Sequence, residues 1–337
     1  MQVKEPKTTI HPEILEIVKT IKKRMDELGH PPISELTPEA SRFFYQEAIK
    51  LYHLTTEEGV TIENRWIERV GDIPIAIRVY KPEDEVDNIN SIKEKSTPYP
   101  ILVYFQGGGW VFGDLDSADA PCSFLCKHIN CIVVSVQYRQ APEYKCPIPV
   151  IDALEAIKWV HKNSQSLGGD AQKIAVGGES AGANLAAVAA IKLRDEGNIS
   201  LVAQLLITPV TQYGFNTQSY QAGYTKGLSL ETMKWFWNHY LENDLQGEEY
   251  YASPLKVQDA RNLPPCLIVT AEHDPLRDDG LLYAQYLQSF QVKVKVLHYE
   301  SFIHSFIRMI RVIEDTRKAL YEMAINFREM LYFYQQT

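Results

Sequence analysis

From about residue 100 onward the chain alternates short, β-branched apolar runs with longer amphipathic stretches, and that alternation leaves few folds open. ILVYF (101–105), CIVVSV (131–136), KIAVGG (173–178), AQLLIT (203–208), PCLIVTA (265–271) and VKVKVLHY (292–299) read as strands. Helical stretches follow at 151–167, 180–196, 279–290 and 311–334. A strand that is apolar along its whole length is buried on both faces, which a mostly parallel sheet flanked by helices provides. The fold class expected is therefore α/β, with one large core and no need of a disulfide or metal staple.

Before residue 100 the pattern differs. Ile14, Ile17, Val18, Ile21, Met25 and Leu28 recur at helical spacing, and Gly29 with Pro31 supplies the stop. A second helix is expected from Thr37, an N-cap followed by Pro38. Segments 64–70 and 73–80 look like a strand pair turning at Gly71 and Asp72, and 82–99 is polar enough to be an exposed loop. One later interval breaks the alternation: residues 210–247 are too long for a direct crossover, are rich in aromatics, and end in a helix carrying Trp235, Phe236, Trp237 and Tyr240. Such an insertion falls at the carboxyl edge of the sheet, where open α/β folds bind ligands.

Charge and cysteine usage narrow the function classes. A net charge of −9 over 337 residues argues against a phosphate-backbone binder, which would show a basic face, so no nucleic-acid partner is expected. The cysteines, Cys122, Cys126, Cys131, Cys146 and Cys266, are odd in number and irregular in spacing, which fits free thiols in a reducing compartment. Cys122 and Cys126 have no matching Cys or His pair, so no metal is expected. No signal-type apolar stretch opens the chain and no run of about 18 apolar residues occurs, so the expectation is a cytoplasmic protein without a membrane span.

Chemistry concentrates in two glycine-containing segments. Gly178-Glu179-Ser180-Ala181-Gly182 is a G-x-S-x-G pattern between a β-branched run and an Ala-rich helix. Alone the pattern arises in roughly one chain in ten of this length; the strand–turn–helix setting gives it weight. A nucleophile on so tight a turn needs neighbours two residues away without side chains, and the new helix directs its N-terminus at developing negative charge. The alternative is a helix-capping serine without chemistry. The second segment, Gln106-Gly107-Gly108-Gly109-Trp110, follows the strand 101–105. Three successive glycines suit close approach of backbone to a ligand, although a flexible turn would also read this way. Gly108 and Gly109, with Ala181, are candidates to supply oxyanion-binding N–H groups.

These motifs together resemble the hormone-sensitive-lipase family of esterases, with the α/β-hydrolase fold. The family shows HGGGW, YRLAPE, GDSAGGN, DPLRDEG and a late His in order; this chain shows QGGGW (106–110), YRQAPE (138–143), GESAGAN (178–184), DPLRDDG (274–280) and IHSF (303–306). The resemblance spans about residues 60–330 and implies a catalytic triad of Ser180, Asp274 and His304. Position alone leaves His273 and His298 as rivals for the base, and Asp278 and Asp279 as acids that more readily open the next helix. The resemblance also implies a buried cluster of Tyr138, Arg139 and Glu143, with Arg277 in a similar role. Gln106 replaces the family's His, which braces the glycine loop by side-chain hydrogen bonds; Gln donates and accepts at similar reach. With Gln106, Gly107 and Glu143 are the expected loop supports. Glu179 stands where the family more often has Asp.

The implied architecture is a core of residues 56–209 and 248–337 under a helical cap of 1–55 and 210–247. Trp110, Tyr213, Phe215, Trp235 and Trp237 are candidate pocket aromatics, although for any single one cap core is the favoured reading. The implied activity is hydrolysis of short- to medium-chain carboxylic esters, with no cofactor. The same triad would support an amidase or deacetylase, and a catalytically silent ligand-binding relative is the remaining alternative. A small-molecule ester is the expected partner. Oligomeric state is not legible in the residues, but members of the family often pair through the last strand and C-terminal helix, so a homodimer is implied.

Overall fold

The structure, a computed structural model, describes residues 8–83, 97–224 and 226–333. Most of the expected loop at 82–99 therefore lies outside the described residues. Eight strands form one sheet: β1 (Val60–Ile67), β2 (Ile75–Pro82), β3 (Tyr99–Phe105), β4 (Ile132–Val136), β5 (Gly169–Glu179), β6 (Gln204–Ile207), β7 (Cys266–His273) and β8 (Val294–Ile303). Their spatial order is β1-β2-β4-β3-β5-β6-β7-β8. From β4 to β8 every pairing is parallel; β2 runs antiparallel to both β1 and β4.

The helices are α1 (Pro12–Glu27), α2 (Pro38–Ile49), α3 (Asp119–Ile129), α4 (Ile148–Leu167), α5 (Ala181–Glu196), the single turn α6 (Gln218–Gln221), α7 (Leu230–Tyr240), the single turn α8 (Asp244–Gly247), α9 (Arg277–Ser289) and α10 (Glu314–Phe333). The pleat of the sheet explains why central strands such as β3 and β4 are apolar along nearly their whole length. Along β3, Ile101, Val103 and Phe105 enter the core beneath α4, α5 and α9, while Leu102 and Tyr104 enter the core beneath α3 and α10. β4 divides the same way, Ile132 and Val134 against Val133.

The sequence reading placed the central strands and the four long helices of the sheet region within a few residues. It missed α3. Ala120, Pro121, Cys122, Ser123, Phe124, Leu125 and Cys126 are consecutive and all buried, and within the helix Lys127 alone is exposed, so the polar stripe of a surface helix is nearly absent. The strand pair is also displaced. β1 and β2 begin pairing at Ile67 and Ile75, leaving a seven-residue connection where a two-residue turn was expected. Arg69 holds that connection open: its guanidinium bonds the buried Asp152 at 2.9 Å and the Ile73 carbonyl at 2.6 Å.

Two segments cross the carboxyl edge of the sheet. One is α1 and α2; the other is the insertion between β6 and β7, which carries α6, α7 and α8. They meet where Trp235 Nε1 donates to the Leu36 carbonyl at 3.2 Å. The insertion is anchored from below by Asn184 of α5, fully buried, whose Nδ2 donates to the carbonyls of Val210 (3.0 Å) and Ala252 (2.8 Å). Asn184→Ala would strand both carbonyls without a donor, so we expect it to lower unfolding free energy by about 2–4 kcal/mol. Urea titration measures this; a loss below about 0.5 kcal/mol would contradict the anchor.

Candidate active site

β5 ends at Glu179 and α5 begins at Ala181, so Ser180 alone makes the junction. It does so at φ 56°, ψ −118°, a conformation that costs a residue with a side chain about 1–3 kcal/mol. Its N–H donates to the Ile207 carbonyl of β6 at 2.9 Å, and its own carbonyl accepts from Asn184 N–H at 3.1 Å. The flanking glycines are dictated by space. A Cβ on Gly182 would lie 1.9 Å from the Phe105 carbonyl oxygen, and one on Gly178 would lie 2.5 Å from that same atom.

Asp274 follows β7 and His304 follows β8, and the parallel pairing of these strands brings both to the Ser180 edge. Asp274 Oδ2 lies 2.7 Å from His304 Nδ1, and His304 Nε2 lies 3.0 Å from Ser180 Oγ. A carboxylate can only accept, so Nδ1 carries the proton and Nε2 is left to accept from the serine hydroxyl. The second carboxylate oxygen, Oδ1, accepts from Leu276 N–H at 2.8 Å, which fixes the acid. All three side chains are buried.

The rival residues are engaged elsewhere. His298 sits between Thr270 Oγ1 (2.9 Å) and Glu272 Oε2 (3.1 Å). His273 is buried edge-on to Tyr224. Asp278 accepts from Ser219 N–H and Asp279 from Thr211 N–H, tying the insertion to α9. Arg277 pairs with Glu272 and Asp278.

The glycine loop, residues 107–109, leaves β3 toward Ser180. Gly108 and Gly109 have φ +129° and +58°, and the Gly108 carbonyl accepts from both Val111 and Phe112 N–H at 3.1 Å. A Cβ on Gly109 would lie 2.1 Å from the Phe236 ring.

Two expected supports act differently from the reading. The Gln106 side chain is buried, yet neither its oxygen nor its nitrogen has a hydrogen-bond partner among the described residues. The brace at this position is the Gln106 backbone carbonyl, which accepts from the Tyr138 hydroxyl at 2.9 Å. Glu143 is exposed and joins no buried cluster with Tyr138 and Arg139. It instead receives both Nη groups of Arg42 on α2 (2.6 and 2.7 Å), while Arg42 Nε and Nη2 donate to the Val111 and Ala141 carbonyls at 2.9 Å each. Arg139 pairs with the buried Asp152 at 2.6 Å.

A cavity of about 330 Å³ opens above Ser180 and His304, lined by Val18, Ile21, Tyr45, Ile49, Phe112 and Phe236 among others. None of the five aromatics proposed for the pocket lines it; Trp237 is buried against Trp110 with ring centres 4.6 Å apart. Trp110 is fully buried and stacks on Tyr240, with ring centres 4.1 Å apart. Trp235 is spent on Leu36 and on stacking with His239. Tyr213 donates to Asp244 at 2.7 Å, and Phe215 packs edge-on against Tyr213 and Tyr220. Their burial stabilises the insertion, in line with the core reading favoured for each.

Sequence reasoning missed the buried Arg308. Its Nε and Nη2 donate to Glu179 Oε2 at 3.0 and 2.7 Å, and its Nη1 donates to the Tyr45 hydroxyl. An arginine inside the apolar run FIRMI was the available signal. Burial pushes the Glu179 carboxyl upward, but the Arg308 charge, aided by His304, outweighs burial and holds it below its ordinary value. Among the described residues no group of three or more His, Cys, Asp and Glu could hold a metal ion.

Comparison with known proteins places this geometry in context. Residues 102–308 match the family of the alpha/beta hydrolase fold. The carboxylesterase NlhH of Mycobacterium tuberculosis is 33% identical over 306 residues, 90% of this chain and 86% of NlhH. The ethyl acetate hydrolase of Pseudomonas putida is 30% identical over 86% of this chain and 89% of its own. The structure of a hyperthermophilic esterase from Pyrobaculum calidifontis superposes with a TM-score of 0.85 at 34% identity, covering 96% of this chain and 99% of that one.

The charge pair behind the serine makes a prediction about pH. Because the folded-state pKa of Glu179 lies below its ordinary value of 4.5, the pair contributes stability above that pH and loses it as pH falls through the folded-state value. Glu179→Gln should therefore be less stable at pH 7 by about 3–5 kcal/mol, the usual cost of leaving one buried partner alone. In denaturant titrations the gap should hold steady above about pH 5.5 and narrow as pH falls through 4.5 and below. A gap that stays constant or widens over that fall would contradict the assignment.

Proposed function

Because the chain belongs to the hormone-sensitive-lipase family of α/β hydrolases and is by that membership a serine ester hydrolase, we propose that it hydrolyses short- to medium-chain carboxylic esters through an acyl-enzyme on Ser180. The observation that carries this reading is the continuous hydrogen-bonded chain Asp274–His304–Ser180 at 2.7 and 3.0 Å. His304 Nε2 takes the hydroxyl proton as Ser180 Oγ attacks the ester carbonyl, and Asp274 orients the imidazole and stabilises its charge. Collapse of the tetrahedral intermediate expels the alcohol, which receives the proton from His304. A water then attacks the acyl-enzyme with His304 again as base, releasing the carboxylic acid and restoring Ser180.

The N–H groups of Gly108, Gly109 and Ala181 are the proposed oxyanion donors. In support, none of the three has an acceptor among the described residues, and Ala181 heads α5 with its positive dipole end. Each such donor is worth about 10²–10³ in rate.

We assign residues 1–55 and 210–247 to a cap over a core of 56–209 and 248–337. The supply of cavity walls by α1, α2 and α7 supports this division. Residues 1–7 and Thr225 of the assigned cap lie outside the described residues. The apolar cavity suits a modest hydrocarbon group. β8 forms one edge of the sheet beside α10, which favours a homodimer through that edge. The five buried, unpaired cysteines favour the cytoplasm, and among the described residues no helix is long and apolar enough to cross a membrane.

Hydrolysis of p-nitrophenyl esters from acetyl to palmitoyl tests the reading. Activity should peak at short or middle chains, and Ser180→Ala should lose about 10⁴-fold or more. A peak at palmitoyl would refute the substrate class, faster turnover of the matching anilide would favour an amidase, and a fully active Ser180→Ala would refute the mechanism.

A further inference from the structure

Behind the nucleophile lies a buried charge pair that none of the bond-making steps uses. Glu179 immediately precedes Ser180, and Arg308 stands four residues after His304, so the pair is tethered to both ends of the proton-transfer path. Two nitrogens of Arg308 converge on one Glu179 oxygen, and the third donates to the Tyr45 hydroxyl of α2. The guanidinium carbon also lies 5.4 Å from the Tyr45 ring centre. That ring packs on Phe112 at 4.5 Å, whose N–H closes the turn on Gly108. The pair also bounds Gly107: a Cβ there would lie 2.9 Å from Glu179 Oε2 and 3.0 Å from Arg308 Nη2. Nucleophile strand, glycine loop, post-histidine turn and α2 thus meet on one side chain.

Stability alone is a weak reason for such an arrangement, because desolvation offsets most of what a buried ion pair contributes. Direction is a better one. A guanidinium is a rigid planar fork, and here it fixes three partners at once. Burial pushes the Tyr45 hydroxyl above its ordinary value, so it meets Arg308 as a neutral acceptor.

We propose that Arg308 and Tyr45 are positioning residues for the hydrolysis: through Glu179 and Gly107 they set the glycine-loop N–H groups relative to Ser180, and Tyr45 ties that setting to the seating of α2. The proposal rests on the esterase reading above. Oxyanion donors must stand about 2.7–3.1 Å from the developing charge, and an error of about 1 Å costs about a hundredfold. A loosened loop therefore appears in kcat, whereas a changed cavity wall appears in KM and depends on the acyl chain.

Tyr45→Phe removes the hydroxyl and leaves the ring in the cavity wall, which makes it the variant of choice. We expect kcat to fall about tenfold, the worth of one charge-assisted hydrogen bond. KM should stay within about twofold, and the factor should be the same for acetyl, butyryl and hexanoyl p-nitrophenyl esters. In an Arg308→Lys background, where the fork is already lost, Tyr45→Phe should cost less than about twofold more. Thermal melts establish that the variants fold; if Arg308→Lys does not, the chain-length series decides alone. An unchanged kcat, a loss confined to KM that grows with chain length, or full additivity of the two substitutions would overturn the proposal. A wild-type protein that neither hydrolyses these esters nor reacts with a fluorophosphonate would instead overturn the esterase reading itself.

Discussion

Ser180 stands in a backbone conformation that a residue with a side chain adopts only at a cost, and much of the molecule is arranged to hold it there. Its N–H is fixed to β6 and its carbonyl to α5, while Gly178 and Gly182 let α5 close to within contact of the Phe105 carbonyl. That closeness requires β3 and β5 to be neighbours, which the parallel order of the sheet provides. The two apolar cores, one on each face, supply the burial that outweighs local strain of this size. A surface loop could not hold the same geometry.

Around that fixed point the charged groups fall into three sets with different work. Asp274 and His304 are joined to the serine by consecutive hydrogen bonds and serve proton transfer. Glu179 and Arg308 lie behind it and touch the loop rather than the reacting atoms. A third set, Arg42 with Glu143, ties α2 to the segment that follows the glycines. Tyr138 bonds the loop's first carbonyl, at Gln106. The loop is therefore held from several sides, which explains why a glutamine without side-chain partners is compatible with an ordered turn there. Both Arg42 and Tyr45 come from α2, so seating this helix and ordering the loop are one event.

The sheet was legible because its central strands are apolar and alternate with helices, and Ser180, Asp274 and His304 because the order of the motifs resembles the family's, where position alone left His273, His298, Asp278 and Asp279 as rivals. What escaped the sequence has identifiable reasons. α3 shows little periodicity because seven consecutive residues of it are buried. Gln106 and Glu143 are expected as side-chain supports by resemblance of position, but the Gln106 side chain has no hydrogen-bond partner among the described residues and Glu143 is exposed and paired with Arg42. Aromatic residues in the insertion look alike in sequence whether they line a cavity or pack beneath it; Phe236 faces Gly109 and the cavity, while Trp235, one residue earlier, bonds Leu36. Arg308 and Tyr45 lie 263 residues apart, a contact that no local pattern announces.

The central claim is that one activated serine does the chemistry, and titration with diethyl p-nitrophenyl phosphate tests it most directly, since the phosphoryl group resembles the tetrahedral intermediate. One p-nitrophenol should be released per chain, ester hydrolysis should vanish in step, and the peptide containing Ser180 should carry the diethylphosphoryl group. Hydrolysis that survives full labelling, or a label on any other residue accompanied by loss of activity, would contradict the account.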